Sequence, residues 1–139
     1  MKYGKLIIEQ KEFVLLKRYT NLSGFYKDDT QFESAKRLSK ELDTAKICHE
    51  SEMPYDIVRF NSYVTITSGD GWQKRFQLVM PKDKDVKQDK ISILAPMGSA
   101  VVGYAEGDDV VWKFPAGEKK LVIAKVEQTE ETLDLNTLI

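Results

Sequence analysis

Cysteine, histidine and long apolar runs are nearly absent from this sequence of 139 residues. The single cysteine, Cys48, excludes a framework of intramolecular disulfides. Together with the single histidine, His49, it leaves too few ligands for a zinc site. No apolar run approaches the ~20 residues that a transmembrane helix needs, and the run Leu6–Ile8 is too short for a signal-peptide core. We therefore expect a cytoplasmic protein with no membrane association.

An excess of charge of either sign is also lacking. The net charge is −1, and the parts of the chain before and after Pro54 are each close to neutral. Since no basic field is present to hold a polyanion, we expect no direct sequence-specific binding of nucleic acid. Neither a GxGxxG nor a P-loop pattern occurs, and we expect no cofactor and no metal. The 42% of hydrophobic residues is nevertheless enough for the core of one ordinary domain.

The first third of the chain has the periodicity of two helices. One apolar stripe comprises Phe13, Leu16, Tyr19 and Leu22, widened by Val14 and Leu15. Ser23 and Gly24 interrupt the pattern, which resumes at Thr30 with a predicted capping box to Glu33. The second stripe comprises Phe32, Ala35, Leu38, Leu42 and Ala45. Two such helices with a short connection predict an antiparallel helical hairpin that ends before Pro54.

After Pro54 the apolar period changes from 3.6 to 2, which predicts strands in place of helices. The turn Ser68–Gly71 separates the first two strands, as in a β-hairpin. A short helix is predicted at Pro96–Val102, with Gly103 as its C-terminal cap. The predicted strands follow one another along the chain at 58–66, 72–80, 91–94, 110–114 and 121–126.

These predictions define an α+β fold in three parts. Residues 1–53 form the short helical hairpin, residues 54–128 an antiparallel sheet with one short helix, and residues 129–139 a tail. The tail ends in large apolar residues, and we expect it to pack on this molecule or on a partner. Those residues are Leu133, Leu135, Leu138 and Ile139.

Three groups of residues have the chemistry of a functional site, and each has a favoured structural interpretation. Cys48 and His49 are adjacent, but neighbours in a connecting segment seldom meet as nucleophile and base, so a linker is favoured. Asp28 and Asp29 lie between the helices and could share a Mg²⁺ ion, although acidic residues also stabilise the start of a helix. An aromatic set would line a cleft or, more simply, fill the core. Its members are Phe60, Tyr63, Trp72, Phe76, Tyr104, Trp112 and Phe114.

One succession of motifs is more specific. It begins with MPYDIV at 53–58 and NSYV at 61–64, continues with KISILAPMGSAVVG at 90–103, and ends with Gly107-Asp108. Residues 42–127 resemble the C-terminal domain of the GreA/GreB transcription elongation factors. The entry at 53–58 is closer to the Rnk-like members of that family, the regulators of nucleoside diphosphate kinase. The resemblance covers the helical hairpin only in outline and does not reach the tail.

The resemblance implies an FKBP-like fold for residues 54–128 and binding to the core of bacterial RNA polymerase. In this family the C-terminal domain binds the rim of the polymerase secondary channel. A long coiled coil carries an acidic tip inward, where it supports a Mg²⁺ ion for RNA cleavage by the polymerase. The implied contact residues are Leu94, Ala95, Pro96 and Met97, and Leu94 replaces an acidic residue of some members. Rnk-like members have a shortened coiled coil and occupy the rim without stimulating cleavage.

We therefore expect a polymerase-binding transcription regulator that is not itself an enzyme. The longer helical arm, of about 17 residues, spans roughly 25 Å at 1.5 Å per residue. That is short for an arm that must carry Asp28 and Asp29 to a metal. Two alternatives stay open. One is a cleavage-stimulating factor that uses these aspartates, and the other is an FKBP-like peptidyl-prolyl isomerase, which needs an open aromatic pocket.

Overall fold

Helices and strands both occur in the chain, and the computed structural model describes residues 1–21, 29–114 and 117–129. The first elements are β1 (Ile7–Glu9), α1 (Gln10–Asn21), α2 (Asp29–Leu42) and β2 (Lys46–Cys48). The later elements are β3 (Tyr63–Ser68), β4 (Gln73–Val79), β5 (Lys90–Ser92), α3 (Pro96–Val101), β6 (Asp109–Phe114) and β7 (Gly117–Glu127). The prediction of a mixed fold with a sheet is confirmed.

The two predicted helices are present and pack on each other, with small corrections. In α1 the buried apolar residues are Leu15 and Leu16, whereas Val14 is 55% exposed, so the apolar stripe is narrower than predicted. Helix α2 begins at Asp29, which places the predicted cap Thr30 inside the helix. Its buried face has the predicted spacing and consists of Ala35, Leu38 and Leu42. We call α1 and α2 together the helical pair.

A two-stranded parallel sheet, β1–β2, was not predicted. Ile7 pairs with Lys46 and Glu9 with Cys48. The interpretation of Cys48 as part of a linker is therefore wrong, because this side chain is buried in a strand. All three residues of β1 are buried, so the segment shows no polar–apolar alternation. Without alternation, such a short strand has no period-2 signal in the sequence.

The main sheet has five strands in the order β5-β4-β3-β7-β6. The pairs β3–β4, β3–β7 and β6–β7 are antiparallel, but β5 runs parallel to β4. The prediction of an entirely antiparallel sheet is therefore wrong at this edge. Parallel neighbours need a crossover connection. The segment 80–89, with two short 3₁₀ turns at 81–83 and 86–88, returns the chain from the end of β4 to the level of Gln77, where β5 begins to pair.

Strand β3 begins later than the alternation of apolar residues predicts. Val58 and Phe60 are buried, but they precede the strand. Asn61 interrupts the extended chain, since its φ of +70° lies in the left-handed region. The alternation of apolar residues continues through Asn61 because Val58 and Phe60 are also buried, although they are not part of the strand.

One apolar core joins the helical pair to the main sheet. It contains Leu15, Leu16, Leu38 and Leu42 from the helices, and its sheet side includes Ile66, Phe76, Leu78, Leu121 and Ile123. Helix α3 packs against α2. We call residues 53–114 and 117–128, which include the five-stranded sheet and α3, the sheet domain.

Gly103 follows α3 and allows β1 to approach it closely. Its φ of +82° is left-handed, as predicted for the residue after a helix. A Cβ atom at this position would lie 2.7 Å from Cδ1 of Ile8. Glycine therefore serves both the turn and the packing of the first strand.

Within the described ranges, no helix combines the length and apolar character needed to span a membrane.

Candidate functional site

The predicted contact residues Leu94–Met97 form the turn that leads from β5 into α3. Ser92 shapes this turn with two acceptors. Its hydroxyl accepts from the amide of Leu94, and its carbonyl accepts from the amide of Ala95, both at 3.0 Å. Pro96 is the first residue of α3, a position where no backbone N–H is required. All four residues of the segment are partly exposed. The predicted short helix is confirmed.

The segment is fixed from beneath by the core. Leu94 and Met97 each pack part of their side chain against it. The Ile93 amide donates to the carbonyl of Val79 at 3.0 Å, which ties the turn to β4. Gly98 lies so close to the Ser92 carbonyl that a Cβ atom would overlap it. An exposed turn held this firmly is suited to recognition, because little conformational freedom is lost on binding.

The acidic pair predicted at the far end of the helices is not defined by the structure. Asp28 lies outside the described residues, and Asp29 is the first residue of α2. In the part of the chain that the structure describes, no three His, Cys, Asp or Glu residues are grouped as a metal site. The tail residues Leu133 to Ile139, for which we predict packing, also lie outside the described residues.

The aromatic residues are divided between core and surface. Phe60, Phe76 and Tyr104 are buried in the core, as the structural interpretation predicts. Tyr63 is partly exposed and lies under the guanidinium of Arg75, 4.3 Å from the ring centroid. Trp72 is 39% exposed at the start of β4. The side chains of Trp112 and Phe114 lie outside the described part.

A polar cluster that sequence reasoning missed lies where α1 meets the sheet domain. The carboxylate of Glu12 accepts from Nε of Arg59 at 2.9 Å and from the amide of Phe60 at 3.0 Å. The Nη2 atom of Arg59 lies 2.8 Å from the same carboxylate, and Nη1 lies 2.6 Å from Glu50. The Glu12 side chain is only 6% exposed. We call Glu12, Arg59 and Glu50 the junction cluster.

The surroundings of the junction cluster shift the pKa values of two members. Burial raises the pKa of Glu12, and the hydrogen bonds from Arg59 and Phe60 offset only part of that effect. Burial alone would lower the pKa of Arg59, but the carboxylates of Glu50 and Glu12 raise it above its ordinary value. Arg59 is therefore a permanent cation, and its charge lowers the pKa of Glu12 without fully offsetting the effect of burial.

A second polar contact joins α2 to the sheet domain. The hydroxyl of Tyr104 donates to Glu41 at 2.7 Å, and the guanidinium of Arg37 lies 3.4 Å from the same carboxylate. Burial, followed by the bond to Glu41, raises the pKa of Tyr104. The sequence feature that could have indicated these two contacts is the position of Glu12 and Glu41 beside the apolar stripes, near Leu15 and Leu42.

The amino-acid sequence of this chain is similar to those of several known proteins. The model of the GreA/GreB transcription elongation factor C-terminal domain matches residues 53–128. The regulator of nucleoside diphosphate kinase from Escherichia coli strain K12 is 37% identical over 84 residues, which are 60% of this chain and 62% of that protein. Transcription elongation factor GreB from Pseudomonas aeruginosa is 33% identical over 90 residues, 65% of this chain and 54% of that protein. The chain thus spans less than two thirds of the length of either relative.

A solved structure extends the similarity to the helical pair. The prokaryotic transcription elongation factor GreA/GreB from Nitrosomonas europaea is 31% identical, with a TM-score of 0.68. That match covers 90% of this chain and 99% of the other. The chain therefore belongs to the GreA/GreB family of transcription elongation factors, as a member similar to the regulator of nucleoside diphosphate kinase.

Proposed function

We propose that this protein binds core RNA polymerase at the rim of the secondary channel through Leu94–Met97 and regulates transcription without stimulating cleavage. In this proposal residues 1–53 form an antiparallel helical hairpin, residues 54–128 an FKBP-like domain and residues 129–139 a tail. The protein has no enzymatic activity of its own in this proposal. Family membership supports the choice of partner, since the relatives are named as elongation factors and as a regulator.

The observation that carries the proposal is the rigid, partly exposed turn between β5 and α3. Leu94 and Met97 present apolar surface there and keep part of each side chain against the core. Anchors of this kind, apolar and held in place before binding, contribute most of the affinity at protein interfaces. Because this contact does not depend on ion pairs, we expect the affinity to vary only weakly with salt concentration.

The length of the helices supports the absence of cleavage stimulation. Helix α2 has 14 residues, which corresponds to about 21 Å at 1.5 Å per residue. An aspartate at the far end of so short an arm acts on a metal only if the channel brings that metal close to the rim. A cleavage factor that uses Asp28 and Asp29 is therefore the less favoured alternative.

A competition assay tests the proposed surface. Core polymerase carrying a labelled GreA or GreB factor is titrated with wild-type protein and with Leu94→Asp. We expect the substitution to weaken competition by about 1–3 kcal/mol, as disruption of an interface anchor commonly does. The matched control is Val86→Asp, which places the same charge on an apolar residue that is 88% exposed in the 86–88 turn. We expect Val86→Asp to compete like wild type.

Since Leu94 also packs on the core, its replacement has to be separated from loss of folding. Ala95→Glu is a second variant in the same turn, at a residue that is partly exposed and is the cap of α3. Circular dichroism and a thermal melt of each variant report the folded state. Folded variants of both kinds that compete as well as wild type would remove this surface from the proposal.

A cleavage assay on stalled elongation complexes tests whether the protein leaves transcript cleavage unstimulated. Wild-type protein is expected to leave the transcript uncut and to inhibit cleavage by an added GreA or GreB factor. Cleavage that is stimulated by wild type and abolished by Asp28→Asn with Asp29→Asn would contradict this and favour the alternative mechanism.

A further inference from the structure

The junction cluster is placed where the helical pair meets the sheet domain, and it is more buried than a surface ion pair. The side chains of Glu12 and Arg59 are 6% and 21% exposed. Removing charges from water costs about as much as a buried pair regains, so such a pair contributes little to stability. Its best-attested use is to select one arrangement among several that similar apolar packing would permit.

The bonds of the cluster are directional. Both oxygens of Glu12 are engaged, one by the guanidinium of Arg59 and the other by the Phe60 amide. A planar guanidinium and a carboxylate joined in this way tolerate little rotation. A slide of α1 by one residue would move the carboxylate by about 1.5 Å along the helix axis. That displacement would break the hydrogen bonds from Arg59 and Phe60 to Glu12, whereas apolar side chains could find new packing contacts in the shifted position.

Arg59 is itself held in place within the sheet domain by a chain of hydrogen bonds. Its amide donates to the hydroxyl of Ser62 at 2.9 Å, and that hydroxyl donates to the side chain of Gln128 at 2.7 Å. The Gln128 amide group then donates to the carbonyl of Ile57 at 2.6 Å. Glu12, the acceptor on α1, is thus connected through Arg59 and Ser62 to Gln128, the residue that follows β7.

We propose that Glu12 and Arg59 are positioning residues that hold the helical pair in one orientation against the sheet domain. The inference rests on the proposed function in one respect, because that orientation sets where the helices lie when Leu94–Met97 contact the polymerase. In the free protein the orientation of the helical pair against the sheet domain can be measured without any partner.

The test measures a distance between α1 and the sheet domain by double electron–electron resonance. Spin labels are attached to cysteines at Val14 and Val122, which are 55% and 36% exposed on α1 and β7. The buried Cys48 is replaced by alanine. The test variant is Glu12→Leu with Arg59→Met, which exchanges the ion pair for apolar side chains of similar size and keeps the interface packed.

The matched control removes an ion pair that does not connect the helices to the sheet domain. Lys17 on α1 lies 3.1 Å from Asp43, just after α2, and Lys17→Gln with Asp43→Asn abolishes this contact. Thermal melts verify that each variant is folded. Glu12→Gln, which keeps the shape of the side chain and removes its charge, gives a second test if the apolar pair fails to fold.

We expect wild type and the control to give one narrow distance distribution. The folded apolar variant is expected to lose that single peak and to give a broad or displaced distribution. A folded apolar variant, or a folded Glu12→Gln, with the distribution of wild type would overturn the proposal.

Polymerase binding gives an independent readout. If only about one tenth of the molecules keep the competent orientation, apparent affinity falls about tenfold. A variant with a broadened distribution but undiminished competition would overturn the link between orientation and binding. A wild type that does not bind polymerase would instead refute the proposed function, and the distance measurement would still decide whether the cluster orients the helices.

Discussion

At the scale of single residues, Gly98 determines how the Leu94–Met97 turn is built. A Cβ atom there would overlap the Ser92 carbonyl oxygen and lie 3.0 Å from Cδ1 of Leu78. Both neighbours belong to the sheet, so neither can move without disturbing it. We expect Gly98→Ala to lower the free energy of unfolding by about 1–3 kcal/mol, as overpacking commonly does. Urea denaturation monitored by tryptophan fluorescence measures this loss.

The control for that substitution is Gly69→Ala. Gly69 lies in the turn between β3 and β4, and a Cβ atom there would have open space around it. We expect its replacement to change the free energy of unfolding by no more than about 0.5 kcal/mol, as at most surface positions. Equal effects of the two substitutions would show that the close approach at Gly98 is not a constraint.

Asp56 binds the side chains of Lys2 and Tyr3, and its contribution to stability depends on pH. Burial alone would raise its pKa, but hydrogen bonds from Lys2 and Tyr3 hold the pKa below the ordinary value of 3.8. A carboxyl group with a lowered pKa stabilises the folded state above its unfolded pKa, and this contribution is lost as the pH falls through the folded pKa. We expect the difference in stability between wild type and Asp56→Asn to be full at about pH 6 and to diminish progressively as the pH falls below 3.8. A difference that does not change as the pH is lowered would contradict this account.

At the scale of elements, α2 is held to the sheet domain by the hydrogen bond from Tyr104 to Glu41 as well as by apolar packing. Tyr104→Phe keeps the ring in the core and removes only the donor. We expect a loss of about 0.5–2 kcal/mol in the free energy of unfolding, because a partly buried carboxylate loses one partner. The matched control is Tyr55→Phe, at a residue that is 89% exposed. Chemical denaturation of the two variants makes the comparison, and equal stabilities would exclude a contribution from this bond.

The same scale shows why some elements were predictable and others were not. Helix α3 and strands β4, β6 and β7 have local signals, such as Pro96 at the helix start and the apolar residues Phe76, Leu78 and Met80 at every second position. The β1–β2 pair depends on Lys46 meeting Ile7 after two helices intervene, and no local pattern encodes such a meeting. The parallel edge at β5 depends on the path of the 81–89 segment, which has the composition of an ordinary surface loop.

For the candidate site, the sequence predicted the place of Leu94–Met97 but not the contacts that support it. The motif around Pro96 locates a turn between strand and helix, and the structure has that turn. The burial of Glu12 was not predictable from its helix alone, because its partner Arg59 and the Phe60 amide belong to a distant irregular segment. Acidic residues beside an apolar stripe are ordinarily solvated, and only tertiary packing distinguishes the exceptions.

At the scale of the whole molecule, the helical pair and the sheet domain stabilise each other through the common core. Leu6, Leu16, Leu38 and Leu42 come from the first part of the chain and are at most 2% exposed. Leu6 and Ile8 cover Gly103, and α2 covers α3. Full burial of a leucine contributes about 1.5–3 kcal/mol. Four of them therefore contribute an amount comparable with the whole stability of a typical domain, about 5–15 kcal/mol.

A fragment of residues 53–129, which includes the range that matches the GreA/GreB C-terminal domain, should therefore not fold as an independent unit. We expect it to show poor dispersion of amide proton signals and no cooperative urea transition, because the apolar surface that the leucines cover is left exposed to water. A separate peptide of residues 1–52, added in trans, supplies the missing side of the core and should restore dispersed signals. The same peptide carrying Leu38→Asp is the matched control and should fail to do so. A fragment that unfolds cooperatively at the urea concentration of the full chain would show that the helical pair is an appendage, and that the junction cluster joins two parts which are each stable alone.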